Sequence, residues 1–151
     1  MIGLSRFIVA AIVASTALLG CVDKVDQQDA LTRVKLSGVW YATWMDTDFE
    51  STRHSLVRVR EDGKFDARSL TVFKDGRRKD ETTSGEWFVT AGLFKRLHKV
   101  RDDAPLSAMR YHYETCRIAT LIDMHLDCVY DVANSQNSYE RVHASFQMPA
   151  N

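Results

Sequence analysis

From Leu36 to Phe146, apolar and polar residues change places in short runs separated by turn-forming clusters. That rhythm predicts strands, because successive side chains of a strand point to opposite faces. GVWYATW (38–44) is rich in aromatic and β-branched residues, and SLVRVR (55–60) alternates at its end. Glu61-Asp62-Gly63-Lys64 then leads into FDARSLTVF (65–73), and Asp-Gly supplies the positive φ angles of a two-residue hairpin turn. Asp75-Gly76 closes that strand in the same way. GEWFVT (85–90) and LFKRLHKV (93–100) flank Ala91-Gly92, and RDDAPLSA (101–108) reads as a loop. MRYHYETCRI (109–118), MHLDCVYD (124–131) and SYERVHASF (138–146) complete the set, with Asn134-Ser135-Gln136-Asn137 as a further turn cluster.

About eight strands with short connections predict an all-β domain, built as an up-and-down meander. No long segment after Leu36 carries an apolar stripe of helical period. A meander leaves two open edges unless it closes, and about eight strands suffice for a small antiparallel barrel.

The first twenty residues, MIGLSRFIVAAIVASTALLG, follow another pattern. Arg6 and the amino group are positive, and Phe7 to Leu19 are uncharged and mostly apolar. Thirteen residues fit a signal peptide and fall short of the ~20 that span a bilayer. The stretch ends Leu18-Leu19-Gly20-Cys21, which resembles the lipobox of bacterial lipoproteins: an aliphatic residue three before the cysteine, then a small one beside it. The resemblance implies cleavage before Cys21 and acyl chains, palmitate among them, on that residue. Leu19 is a less usual middle residue. An ordinary secretory signal or an uncleaved anchor is the other reading. Val22, where inner-membrane lipoproteins of enterobacteria carry Asp, implies an outer-membrane protein facing the periplasm. The expected division is 1–20 signal peptide, 21–35 lipid-bearing tether with a short helical turn capped by Asp29, and 36–147 β domain.

Charge excludes one class of partner. Without residues 1–20 the chain has 19 basic and 20 acidic groups, so it has no general field for nucleic acid. With Cys21 assigned to lipid, Cys116 and Cys128 are an even pair in an oxidising compartment, where a disulfide is the default. A hairpin turning near residue 122 places them opposite each other. Two buried free thiols are the alternative.

The order Leu36-Ser37-Gly38-Val39-Trp40, Glu61-Asp62-Gly63-Lys64-Phe65, Ser84-Gly85-Glu86-Trp87, Cys116-Arg117-Ile118, Met124-His125-Leu126 and Tyr139-Glu140-Arg141-Val142 resembles the lipocalin-like domains of small secreted bacterial proteins. In lipocalin-type barrels the Trp of Gly-x-Trp lies across the closed end, and an Arg of the last strand packs over it. The matching residues are Trp40 and Arg141, a structural pair held by cation–π attraction. This chain is shorter than long lipocalins, which puts a deep, lidded calyx in doubt.

No catalytic motif is visible. There is no Gly-x-Ser-x-Gly and no phosphate loop. The five histidines, His54, His98, His112, His125 and His143, lack metal-ligand spacing, so neither a metal nor another cofactor is expected. On the strand 124–131, Met124, Leu126, Cys128 and Tyr130 read as the core face, with His125 and Asp127 toward water. The acid runs Asp46-Asp48-Glu50 and Arg101-Asp102-Asp103 lack the spacing of a calcium loop. The basic clusters Lys74-Arg77-Arg78-Lys79 and Lys95-Arg96-His98-Lys99 read as exposed turns and strand ends. Trp40, Trp44, Trp87, Phe88, Phe94, Tyr111 and Tyr113 read as core packing before cavity lining. The expected function is non-catalytic binding of a small apolar or amphipathic ligand. Interaction with, or inhibition of, an envelope protein is the alternative.

Overall fold

The computed structural model describes residues 16–130 and 135–149, with side chains from Lys24 onward. Residues 1–15, most of the expected signal peptide, the Cys21 side chain and Asn134 lie outside the described residues. Helix α1 (Thr16–Leu36) leads into nine strands: β1 (Gly38–Asp46), β2 (Ser51–Val59), β3 (Lys64–Phe73), β4 (Arg78–Thr90), β5 (Leu93–Arg101), β6 (Ala104–Pro105), β7 (His112–Ile122), β8 (His125–Tyr130) and β9 (Ser135–Val142).

The sheet runs β4-β3-β2-β1-β9-β8-β7-β5, every neighbour antiparallel, and β4 also pairs with β5. The ring therefore closes as the expected eight-stranded barrel. The two residues of β6 are an addition beside the end of β5. Turns at 60–63, 91–92 and 123–124 lie at one end, with the start of β1. Connections 47–50, 74–77 and 102–111 lie at the other, the mouth.

Both Asp-Gly turns differ from expectation by one residue. Gly63 and Gly76 have φ of 81° and 84°, and neither Asp62 nor Asp75 is left-handed. The amides of Arg60 and Phe73 bond the carbonyls four residues on, Lys64 and Arg77. These are three-residue loops with glycine in the left-handed position. Asp62 and Asp75 instead accept from the amides of Lys64 and Arg77, each at 3.0 Å. Ala91-Gly92 is the two-residue turn, with both φ positive at 50° and 73°.

The segment expected as a tether with one helical turn is part of a 21-residue helix. Ala, Leu, Lys, Gln and Arg favour helix here, and Arg33 and Lys35 complement its C-terminal dipole. Asp29 sits inside α1 and caps nothing within it. Its carboxylate accepts from the amides of Ala91 and Gly92 at 2.9 and 3.2 Å, clamping the helix to the β4–β5 turn.

β4 begins at Arg78, seven residues before the alternating segment that announced it. RKDETTS carries no apolar face, yet it completes the β3 ladder and is tied by the Arg68–Asp80 ion pair. Ser135, Gln136 and Asn137, read as a turn, are strand residues paired with Tyr130, Val129 and Cys128. β9 ends at Val142, and the chain turns through His143–Phe146. Phe146 and Met148 then cover the outside of the barrel, over Val39, Leu56 and Leu70. Apolar residues thus occupy both faces of β1–β3, and that blurs the alternation on which strand ends are read.

Inside, Leu36 plugs the closed end, and Trp40, Val57, Phe65, Trp87, Phe94 and Leu126 form the main core with it. Met124, expected in that core, lies in the β7–β8 turn and is 60% exposed.

Candidate functional site

The closed end is built around Trp40 and Arg141, cross-strand partners where β1 meets β9. The Arg141 guanidinium carbon lies 4.6 Å above the Trp40 ring centre. Arg141 also donates to the Ser37 carbonyl at 2.9 Å and to the Lys35 carbonyl. Trp40 Nε1 donates to the Leu36 carbonyl at 2.7 Å. These are carbonyls at the end of α1, which have no partner within a helix. The pair therefore joins two strands and caps the helix, a function the strand pattern did not reveal. Arg141→Ala is expected to cost about 2 kcal/mol. Arg141→Lys should recover little, because an ammonium lacks the planar fork; urea unfolding of both variants checks this.

Within the barrel the sequence reading needs correction. Arg96 and His98 were assigned to an exposed basic cluster, but they point inward with Phe94 and are each 5% exposed. Opposite Arg96 in register is Glu114 of β7, and opposite His98 is His112. Arg96 donates to Glu114 Oε1 at 2.5 Å, and its guanidinium lies 5.6 and 5.8 Å from the Phe65 and Phe94 ring centres. Glu114 Oε2 is 3.1 Å from His98 Nε2, which must be the donor because a carboxylate only accepts. The His98 ring stacks on His112 at 4.5 Å. Tyr130 reaches Arg96 at 3.5 Å and Tyr139 at 3.0 Å.

Burial alone would favour neutral forms of these groups. For Glu114 that penalty is outweighed by the charge of Arg96 and the His98 hydrogen bond, and its pKa falls to about 2. For Arg96 burial is outweighed by the fields of Glu114, Tyr130 and Tyr139, and its pKa rises. Burial and the neighbouring Tyr139 push the Tyr130 hydroxyl well above its usual range. The alternation Phe94, Arg96, His98 was the available signal. It was masked by Leu93 and Leu97, which make the opposite face equally apolar.

Charge in the cluster is balanced, but one polar atom is left over: His98 Nδ1 is buried with no hydrogen-bond partner among the described residues. Both Glu114 oxygens are engaged, and one acidic charge balances one guanidinium. The His98 and His112 rings lie parallel, 4° apart, so they do not converge on a common point. Below the cluster, the space enclosed by Trp40, Val57, Phe94, Tyr130 and Tyr139 is about 10 Å³, room for roughly one water.

The larger space is at the mouth end, on the outer side of the barrel wall, since Met45, Thr52 and Val72 are cross-strand neighbours facing away from the Trp40 and Phe65 side. A cleft of about 470 Å³ lies between the β1–β2 and β3–β4 connections. Met45, Val72 and Phe73 supply its apolar surface, and Glu50 and Lys74 form an ion pair across it at 2.7 Å. Ser51 is 3% exposed there, and its hydroxyl is buried without a hydrogen-bond partner among the described residues.

The remaining expected groups divide as follows. Cys116 and Cys128 are bonded, with Cα atoms 5.2 Å apart, and the closed loop stabilises by roughly 2–3 kcal/mol. They are diagonal neighbours rather than opposites: Cys116 pairs with Tyr130 and Cys128 with Ile118, because the turn centres on Asp123-Met124. His125 and Asp127 face outward and bond each other at 3.0 Å. Ser138 donates to Asp127 at 2.6 Å and, with other local bonds, lowers its pKa. Trp40, Trp87 and Phe94 are core residues. Phe88 and Tyr113 form an outer edge-to-face pair, and Tyr111 is 40% exposed. Among the described residues no helix is long and apolar enough to cross a membrane. No protein-family model matches the sequence, and no curated protein matches it.

Proposed function

We propose that this is a lipid-anchored protein of the bacterial envelope, lipocalin-like in its barrel, that binds a small amphipathic molecule and performs no catalysis. The signal sequence and Cys21 support the anchor, with the outer membrane favoured by Val22. The observation that carries the binding reading is the contrast between a filled barrel floor and the open cleft at the mouth. Small-molecule sites commonly enclose roughly 300–1,000 Å³ of mainly apolar wall with a few polar groups. The cleft of about 470 Å³ has that size, with the Glu50–Lys74 ion pair at its edge for a polar head. This reading puts the ligand at the rim and not in a calyx. The Arg96–Glu114 cluster is what an enzyme would use, but both Glu114 oxygens are engaged, and the one unpartnered atom, His98 Nδ1, is buried. Exposed Phe49 and Met109 beside the mouth favour the second reading, a protein partner, more than they favour chemistry.

Two measurements test the proposal. Cys21→Ser should leave the membrane fraction and lose its acyl mass; a variant that stays with membranes at unchanged mass rejects the anchor. Binding of an anilinonaphthalene-sulfonate dye or monomeric lysophosphatidylcholine should weaken at least about tenfold in Met45→Asp, a loss of about 1.4 kcal/mol. It should survive Ala67→Leu, which fills the interior. The opposite pattern would return the ligand to the barrel.

A further inference from the structure

We infer that the closed end of the barrel rests on the bilayer, with the outer side of α1 and the β7–β8 turn in the lipid headgroup region. The inference builds on the lipid anchor proposed above. Cys21 lies within α1, and Leu36 comes fifteen positions later on the helix, about 22 Å at 1.5 Å per residue. A helical link of that length holds the closed end near the lipid, where a coil would let the barrel swing. The helix is fixed to that end by the Asp29 clamp and by Arg33 against the Trp87 ring.

The surface so placed exposes several aliphatic side chains among charged ones. Leu31 and Val34 on α1 are 59% and 73% exposed, and Ile122 in the neighbouring turn region is 62% exposed. Val34 and Ile122 line one recess of about 250 Å³ with Lys35, Asp123 and Arg141. Aliphatic side chains beside long cationic ones suit the headgroup boundary, where the stems can be buried and the charges stay wet. The mouth also exposes Met45 and Phe49, so apolarity alone does not choose an end. The chain leading to Cys21 reaches only the closed end, and that decides between them.

The test uses the mature lipidated protein in vesicles of phosphatidylcholine with or without brominated acyl chains. Ile122→Trp and Phe49→Trp each report one end against the native tryptophan background. The added emission of Ile122→Trp should be quenched by bromine at least twofold more than that of Phe49→Trp. Equal quenching, or stronger quenching of Phe49→Trp, in protein that floats with vesicles overturns the docking but leaves the anchor intact. Failure to float overturns both. An Ile122→Trp blue shift that grows with protein concentration and ignores bromine would assign the face to a second copy of the chain.

Discussion

Glu114→Gln should lower the free energy of unfolding by about 3–5 kcal/mol, because it leaves the Arg96 guanidinium buried without a counter-charge. The double variant Arg96→Met, Glu114→Leu should regain most of that loss, since a well-packed apolar pair carries no desolvation penalty. Urea denaturation of the three proteins measures both effects. A loss under about 1 kcal/mol in Glu114→Gln would mean that solvent reaching the one-third-exposed carboxylate already screens the pair. The pH dependence has a defined sign. The folded carboxyl, at about 2, lies below its ordinary value of 4.5, so the stabilisation is complete above about pH 4.5 and disappears as pH falls toward 2. Glu114→Gln should flatten that acid limb. Asp80 and Asp127, also lowered by their hydrogen bonds, will leave a smaller residual slope.

Gly85→Ala should be comparably damaging, about 3 kcal/mol or more, for want of space. A Cβ at this position would come within 1.9 Å of the Leu97 carbonyl oxygen, a backbone atom that cannot turn aside. The close approach sits at the register shift between Ser84 and Gly85, where Lys99 is the extra residue of β5. Gly92→Ala provides the contrast. Nothing lies within 4 Å of its absent Cβ, but φ is 73°, so the expected cost is about 1 kcal/mol of conformational strain. Thermal unfolding of the two alanine variants separates crowding from backbone preference. Equal melting temperatures would refute the assignment.

The barrel was legible because its hairpins are local. Asp62-Gly63, Asp75-Gly76 and Ala91-Gly92 each join neighbours, and eight such neighbours leave closure as the economical end. Trp40 and Arg141 were legible through resemblance. What failed were features that depend on a distant element. Arg96 and His98 look solvated until Glu114 is set opposite them. RKDETTS looks like a loop until β3 provides its partners. Phe146 looks like the end of a strand, and Met148 falls just outside the expected domain, until the outward side chains of Leu56 and Leu70 are known. The site was less legible than the fold, since the cleft is framed by two connections 24 residues apart at Glu50 and Lys74.

The partner of β1 is β9, a ladder joining residues 39–41 to 140–142. A polypeptide delivered amino end first therefore presents β1 with one naked edge until residues 140–142 arrive, about a hundred residues later. Such an edge is an open template for pairing with another chain, and contacts this remote in sequence form slowly. The interval between emergence and closure is then the period of greatest aggregation risk. Overproduction should make escort of the nascent chain, not strength of the finished barrel, the limit on yield.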